Sequence, residues 1–299
     1  MKVYNNFKIG EYMDKISVLI NPSKDKGGEI LRVVLGKLED AFSDCEISVV
    51  YNCEDIAESI EKDIDLLIVL GGDGTLIGAS RRLNGHINCP IFGINIGNLG
   101  FLTSADIEDL DKVILDLKKG DYFIQERMML EGTVINEGVK KKNVALNDFV
   151  IARGTLSRMS KFTIYVDDKE FTSIKGDGII ISSPTGSSAY SFSAGGPLIY
   201  PTLDVILLTP ICPHTKNMQT MVLEGKSNIK IISESYEEEV YLSIDGQKAV
   251  KLDKKDVVEI SKAQNSCKIL LLNDYDYFKV IRTKLFNSNI DCEGDYDEI

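Results

Sequence analysis

Five consecutive apolar residues, Leu66-Leu67-Ile68-Val69-Leu70, lead without a break into Gly71-Gly72-Asp73-Gly74-Thr75. A run this short and this uniformly apolar is what a strand buried on both faces requires, and such strands belong to parallel sheets covered by helices. Residues 75–83 then carry Leu76, Ile77, Ala79 and Leu83 at helical spacing, which places the three glycines in a strand-to-helix turn.

A turn of this kind brings backbone N–H groups close to a ligand. Glycine accepts positive φ and has no Cβ, and the helix that follows aims its positive end at the same point. Phosphate is the natural guest. Asp73 is the odd member, since a carboxylate among phosphate-cradling amides repels the ligand unless it holds a metal ion or takes a proton; the plainer reading is a helix N-cap stabilised by the dipole. Two familiar phosphate motifs fail on spacing. The pattern G-x-x-x-x-G-K-[ST] needs a lysine that follows neither Gly74 nor Gly78, and G-x-G-x-x-G counted from Gly72 meets Ile77 where glycine is required.

The 299 residues suffice for two domains. A net charge of -12, from 34 basic and 46 acidic residues, argues against a nucleic-acid or anionic-membrane surface, so an anionic ligand must be held locally. The cysteines at 45, 53, 89, 212, 267 and 292 form no C-x-x-C pair and read as reduced, in keeping with a cytoplasmic protein. No signal-peptide core and no apolar run near the length of a membrane span is present.

Taken in order, strands are expected over 16–21, 47–51, 64–70 and 91–95, alternating with helices over 27–42, 54–62, 75–84 and 107–119. Alternation of this kind implies parallel pairing through right-handed crossovers, with ligands bound beyond the carboxyl ends of the strands. A second glycine-rich turn, Asn95-Ile96-Gly97-Asn98-Leu99-Gly100-Phe101-Leu102, leaves the fourth strand at that same rim. From residue 123 helices nearly vanish. Strands are expected over 128–135, 144–152, 161–166, 179–183, 205–209, 228–233, 240–244, 256–260 and 268–272, with hairpin chemistry at Asn136-Glu137-Gly138, Asp167-Asp168 and Asp245-Gly246. The expected fold is thus an α/β, Rossmann-like parallel-sheet domain over 1–122 and an all-β sandwich over 123–272. Residues 273–290 pack back on the first domain, and 291–299 form an acidic, disordered tail.

In the β half, Asn147-Asp148 interrupts an apolar stretch. Burying an amide beside a carboxylate costs several kcal/mol unless structural partners or a polar ligand compensate. Ser182-Ser183-Pro184-Thr185-Gly186-Ser187-Ser188-Ala189-Tyr190 ends another strand in hydroxyls and a flat ring, either a capped turn or a place for a base to stack. Lys175, Asp177 and Arg158 lie near that loop as solvated charges or ligand contacts. Asp245-Gly246-Gln247 reads as a hairpin turn. With His86 and His214 the only histidines, Ser-His or Cys-His nucleophilic catalysis is not built here.

These elements in this order, together with Gly195-Gly196-Pro197 and Pro210-Ile211-Cys212-Pro213-His214-Thr215, resemble the NAD kinase family over most of the chain. The resemblance implies transfer of the γ-phosphoryl of ATP, or of another phosphate donor, to the 2′-hydroxyl of the adenosine ribose of NAD, giving NADP. It places Asp73 as proton acceptor, with Gly74 beside it in the ligand-binding turn. Asn147 and Asp148 become the pair contacting the dinucleotide, and Asp177, Thr185, Gly186, Ser187, Ser188, Ala189 and Tyr190 further NAD contacts. Arg158, Lys175 and Gln247 are lesser ones. It also implies a divalent ion, Mg²⁺, that accompanies the donor without a dedicated metal-ligand set in the protein, and a homodimer or homotetramer. Ser183 and Ser188 stand where the family usually has threonine, and Lys216, Gln219 and Thr220 depart from its pattern after His214. No lysine follows the glycine turn to bind phosphate, which leaves the donor's charge to the metal ion and amides, or to a second subunit. The alternatives are a lipid kinase of the diacylglycerol or sphingosine type, which shares the GGDG turn, and a dinucleotide sensor without turnover.

Overall fold

The computed structural model describes residues 13–97, 100–154, 159–214, 218–234, 239–254 and 256–286. Arg158, Thr215, Lys216 and the acidic stretch 291–299, all singled out in the sequence, lie outside the described residues. Among the described residues the chain divides into two units. One takes in those up to Ala79, Cys89–Gln125 and those from Ile269 on; the other takes in Ser80–Asn88 and Glu126–Lys268.

The first unit is built on strands β1 (Lys15–Ile20), β2 (Glu46–Val50), β3 (Leu66–Leu70) and β4 (Ile91–Asn95), in the order β2-β1-β3-β4, with each neighbouring pair parallel. All five residues of β3 are buried, as its uniform apolarity requires. Helices α1 (Glu29–Ala41), α2 (Ile56–Ser59), α3 (Asp73–Leu83) and α4 (Leu110–Lys119) alternate with the strands. Leu31, Val34 and Leu38 of α1 and Leu110, Val113 and Leu117 of α4 join Ile16, Val18, Leu66, Ile68 and Phe92 in one core cluster. Each such aliphatic side chain contributes about 1.5–3 kcal/mol on burial. The helix expected over 54–62 is cut to one turn after a 3-10 turn at Cys53–Asp55. A short strand β5 (Ala105–Asp106) pairs with β4, and β6 (Tyr122–Arg127) lies at the far edge of the sheet.

The second unit is an antiparallel sandwich. Its strands are β7 (Leu130–Asn136), β8 (Val139–Ala145), β9 (Asp148–Arg153), β10 (Ser160–Val166), β11 (Lys169–Gly176) and β12 (Gly178–Ser182). They continue with β13 (Val205–Ile211), β14 (Met221–Glu224), β15 (Ile229–Ser233), β16 (Val240–Ile244), β17 (Lys248–Leu252) and β18 (Val257–Lys262). One sheet runs β11-β10-β15-β18-β7-β8 and the other β14-β13-β12-β9-β16-β17. Alternate residues of both, among them Phe162, Ile231 and Val258 from one and Phe149, Ile181 and Leu242 from the other, form a single core. The second sheet is apolar on its outer face too, where Val150, Ile180 and Ile211 pack with Ala194, which follows the short helix α5 (Tyr190–Ser193).

The hairpin signals sit where expected. Asp167 and Asp168 join β10 to β11 with φ of 50° and 63°, and Asp245 and Gly246 join β16 to β17 with 50° and 64°. Such paired positive φ values give the turn the twist of its strands. The partner strands β8, β11 and β17 carry exposed lysines and few buried apolar residues, Ala145, Ile174 and Leu252 among them, which is why periodicity does not reveal them.

Two expectations are corrected. The stretch 144–152 is not one strand: Ala145 ends β8 in one sheet, Asp148 opens β9 in the other, and Leu146-Asn147 is the corner between them. Its two-sided apolarity belongs to β9, where Phe149 and Ile151 face the sandwich core and Val150 the covered outer face. The last strand, β19 (Cys267–Leu272), expected in the β domain, pairs parallel with β4 through Ile269 and Ile91 and lies beside β6 in the first sheet. Its run of Ile269-Leu270-Leu271-Leu272 is buried on both faces, the pattern of an inner parallel strand. After it comes α6 (Tyr277–Ile281), in the same unit. There the Asn273 N–H donates to Asp121 O at 3.3 Å, and Lys112 pairs with Asp274. Among the described residues no helix is long and apolar enough to cross a membrane.

Candidate functional site

In the first unit, β3 ends at Leu70 and α3 begins at Asp73. Gly72 O accepts from the N–H of Thr75 at 3.0 Å, so Gly72 is the capping residue and Asp73 the first residue of the helix. Among the described residues the Asp73 carboxylate caps no amide of its own helix. It accepts from Phe101 N–H at 2.7 Å through Oδ2 and from Leu102 N–H at 3.0 Å through Oδ1. The second glycine-rich turn thus grips the aspartate of the first. An ionised carboxylate has about four acceptor positions, so two remain for another donor.

The same rim holds a cation that the sequence reading missed. β1 is the neighbour of β3, and the chain leaving it forms a 3-10 turn, Pro22–Lys24, capped by Asn21, whose Oδ1 accepts from Ser23 N–H at 3.0 Å. Lys24 Nζ stands 3.8 Å from the place a Cβ on Gly72 would take. Lys24 is exposed and makes no ion pair among the described residues. A lysine is thus placed beside the glycine turn by the chain leaving the adjacent strand, and only parallel pairing of β1 with β3 could have revealed it.

In the second unit the corner Leu146-Asn147 is stitched to the loop after β12. Ser183 N–H donates to Asn147 O at 2.8 Å, and the Ser183 hydroxyl donates to Leu146 O while accepting from Gly186 N–H at 3.2 Å. Gly186 lies so close that a Cβ there would be 2.3 Å from Asn147 O. Two buried polar atoms at this junction, Asn147 Oδ1 and Thr185 Oγ1, have no partner among the described residues. Leaving such an atom unpaired costs about 1–3 kcal/mol, so each calls for a water or another polar group as partner. The other hydroxyls are spent on structure: Ser187 Oγ donates to Pro184 O at 2.7 Å, and Ser188 Oγ to Thr185 O at 3.3 Å. The Ala189 N–H donates to Gly186 O at 2.9 Å.

Asp148 is buried, and the side chain beside it is Asp245, from the β16–β17 turn. Burial first, and the Asp245 charge second, push the Asp148 carboxyl up to about 7. Asp245 is also raised by burial, but the N–H groups of Leu146, Asn147 and Asp148 and the Arg81 guanidinium oppose the shift. Each N–H bond to a charged acceptor contributes about 1.5–3 kcal/mol, enough together to offset the several kcal/mol that burying a carboxylate costs. Gln247 accepts from Arg81 Nη2 at 3.0 Å.

Tyr190, nearly half exposed, lines a cleft of about 880 Å³ with Ala194, Gly196 and the segment Pro210 to Pro213. Asp177 lies at that end of the sheet: its N–H donates to Ile211 O at 3.0 Å, and its carboxylate accepts from Arg153 Nε at 2.7 Å. Lys175 is exposed, and its carbonyl accepts from His214 N–H at 2.8 Å. The second unit therefore gathers Asn147, Asp148, Thr185, Gly186 and Gln247 around one corner, and Tyr190, Asp177 and Lys175 around the cleft. Asp73 and Gly74 belong to the first unit.

Residues 3–122 match the model of the ATP-NAD kinase N-terminal domain, and residues 146–272 that of the ATP-NAD kinase C-terminal domain. The chain belongs to the NAD kinase family. Among its relatives is an NAD kinase of Clostridium beijerinckii, 54% identical over 283 residues, which span 95% of this chain and 99% of that one. An NAD kinase of Clostridium botulinum strain Alaska E43 is 51% identical over 284 residues, with the same coverage of both chains. Among solved structures, yeast NADH kinase complexed with NADH superposes with a TM-score of 0.82 at 23% identity, over 96% of this chain and 90% of that one. An NAD kinase from Archaeoglobus fulgidus in complex with ATP superposes at 0.71 and 24% identity, over 91% and 97%. These two share the fold: a parallel-sheet half and an antiparallel sandwich. The GGDG turn is here the turn of an NAD kinase family member, and the lipid-kinase alternative falls away.

Proposed function

We propose that the chain phosphorylates the 2′-hydroxyl of the adenosine ribose of NAD with ATP, giving NADP, and that Asp73 is the general base. The observation that carries this reading is the carboxylate of Asp73, fixed at the first turn of α3 by two amides of the neighbouring turn and ringed by glycines, with Lys24 on the same rim. Phosphoryl transfer is achieved mostly by positioning and electrostatic stabilisation, and a held carboxylate with spare acceptor positions can orient a hydroxyl and take its proton. Lys24 and the amides at the start of α3 hold the phosphates of the donor. Asn147, Asp148 and Thr185 meet polar groups of the dinucleotide, and Tyr190 offers its ring to a base. Gly186, Ser187, Ser188 and Ala189 shape the loop that carries them, with Asp177, Lys175 and Gln247 at its borders.

Among the described residues no group of three or more His, Cys, Asp or Glu side chains could hold a metal ion. Magnesium is ordinarily held by one or two carboxylates together with substrate phosphates. Asp73 is the carboxylate placed to help, and the ion, when bound with the donor, neutralises charge on the phosphates. The protein is cytoplasmic in this reading. It works as a homodimer or homotetramer, for which Phe192, Tyr200 and Leu203 supply exposed apolar surface.

The test is a coupled assay: protein, NAD, ATP and Mg²⁺, with an NADP-specific dehydrogenase reporting the product. NADP is expected to form only with donor present. Asp73→Asn should abolish turnover while NAD affinity stays within about tenfold, or about 1.4 kcal/mol. NAD binding without turnover from ATP or polyphosphate would make the protein a sensor instead.

A further inference from the structure

Asp245 does more than a turn residue needs to. A left-handed φ of 50° followed by Gly246 at 64° accounts for an Asp or Asn at this position of the hairpin. It does not account for where the side chain goes. The Asp245 side chain is fully buried. Its Oδ1 accepts from Asn147 N–H at 2.8 Å and from Asp148 N–H at 3.1 Å, and its Oδ2 accepts from Leu146 N–H at 3.1 Å. The Asp245 N–H donates in turn to Asp148 O at 3.0 Å. Three successive amides of the sheet-to-sheet corner thus end on one carboxylate. Arg81 stands behind it: Nη1 lies 3.7 Å from Asp245 Oδ2 and donates to Ile244 O at 3.2 Å, while Nη2 donates to Gln247 at 3.0 Å.

The side chains of the gripped corner are in the opposite condition. Asn147 Oδ1 is buried without a partner among the described residues, and the Asp148 carboxyl is buried beside a like charge. The main chain is fully satisfied and the side chains are held in reserve. We propose that Asp245, oriented by Arg81, is the positioning residue of the dinucleotide site: it fixes the backbone of Leu146 to Asp148 so that Asn147 and Asp148 meet NAD already in place. This rests on the reading of Asn147 and Asp148 as dinucleotide contacts. An asparagine at 245 would keep one acceptor oxygen, but its NH₂ would face an N–H of the corner. The corner would loosen, and the negative charge facing Asp148 would be gone.

Asp245 is the charged group that faces Asp148, and Arg81 is the cation that faces Asp245. Removing the Asp245 charge therefore lets Asp148 ionise at lower pH. A purely structural role would instead show as lost thermal stability with the KM for NAD unchanged.

The experiment is to titrate NAD into wild type, Asp245→Asn and Arg81→Gln by calorimetry across a pH series, and to measure kcat and the KM values for NAD and ATP. Thermal melting serves as the check on folding. Asp245→Asn is expected to raise the NAD Kd and KM about tenfold or more, to leave the ATP KM within about twofold, and to shift the pH dependence of NAD binding to lower pH. Arg81→Gln keeps the carboxylate and loses its orienting fork, so it should raise the NAD KM in the same direction by a smaller factor. Either variant folded, with wild-type NAD affinity and an unshifted pH profile, would overturn the proposal. So would Asp245→Asn failing to fold while Arg81→Gln binds NAD as the wild type does. A wild-type protein that binds no NAD would remove the underlying reading, a failure distinct from wild-type binding that Asp245→Asn leaves untouched.

Discussion

A Cβ placed on Gly100 would stand 1.9 Å from Oδ1 of Asp73, closer than any two non-bonded heavy atoms can come. The conflict is with the proposed base itself, whose oxygens are fixed by Phe101 and Leu102. Gly100→Ala is therefore expected to lower kcat at least about a hundredfold by turning the carboxylate away, with Tm little changed because Gly100 lies in a loop. Steady-state kinetics beside a melting curve would check this, and a Gly100→Ala enzyme with unchanged kcat would show that the position of Asp73 is unimportant to turnover.

Lys24 is exposed, so replacing it should cost little stability. Lys24→Met should raise the KM for ATP about tenfold, while the KM for NAD stays near that of the wild type. Equal effects on both substrates would instead point to a general disturbance of the rim.

The raised Asp148 carboxyl makes stability depend on pH. In the unfolded chain it loses its proton near pH 4, and in the folded protein near 7. Because the folded state binds the extra proton, the contribution is full below about pH 4 and is lost as pH rises through about 7. Urea unfolding at about pH 5 and pH 8 should show the wild type losing stability relative to Asp148→Asn as pH increases. A difference between the two that stays constant with pH would mean that Asp148 is ionised throughout.

Ser183 uses its hydroxyl both as donor, to Leu146 O, and as acceptor, from Gly186 N–H. A threonine at this position would keep both bonds, so Ser183→Thr is expected to leave the NAD KM unchanged. Ser183→Ala strands both backbone groups and should cost about 1–3 kcal/mol of stability by chemical denaturation. Loss of stability in the threonine variant as large as in the alanine variant would show that the pocket around residue 183 rejects the added methyl.

Much of this architecture is legible locally. The apolar run 66–70 and the glycines after it specify a strand, a turn and a helix start, and Asp167-Asp168 and Asp245-Gly246 specify hairpins, because in each case the physical cause lies within a few residues. What is not legible depends on pairing between distant segments. Lys24 reaches the glycine turn because β1 lies beside β3. Asp245 reads as a turn residue until its carboxylate is seen under three amides of a corner far away in sequence. Asp73 reads as a cap because nothing near it in sequence reveals that its partners are Phe101 and Leu102.

The placement of β19 has a bearing on how the protein is made. Residues 267–272 leave the ribosome after every strand of the sandwich, yet they lie beside β4 in the sheet that the first residues of the chain begin. Until they arrive, β4 shows an unpaired edge along Ile91, and a nascent chain must protect it or wait. A fragment that stops at the end of the first half would carry that open edge permanently, inviting association with copies of itself. The sheet that starts first in synthesis is the one completed last.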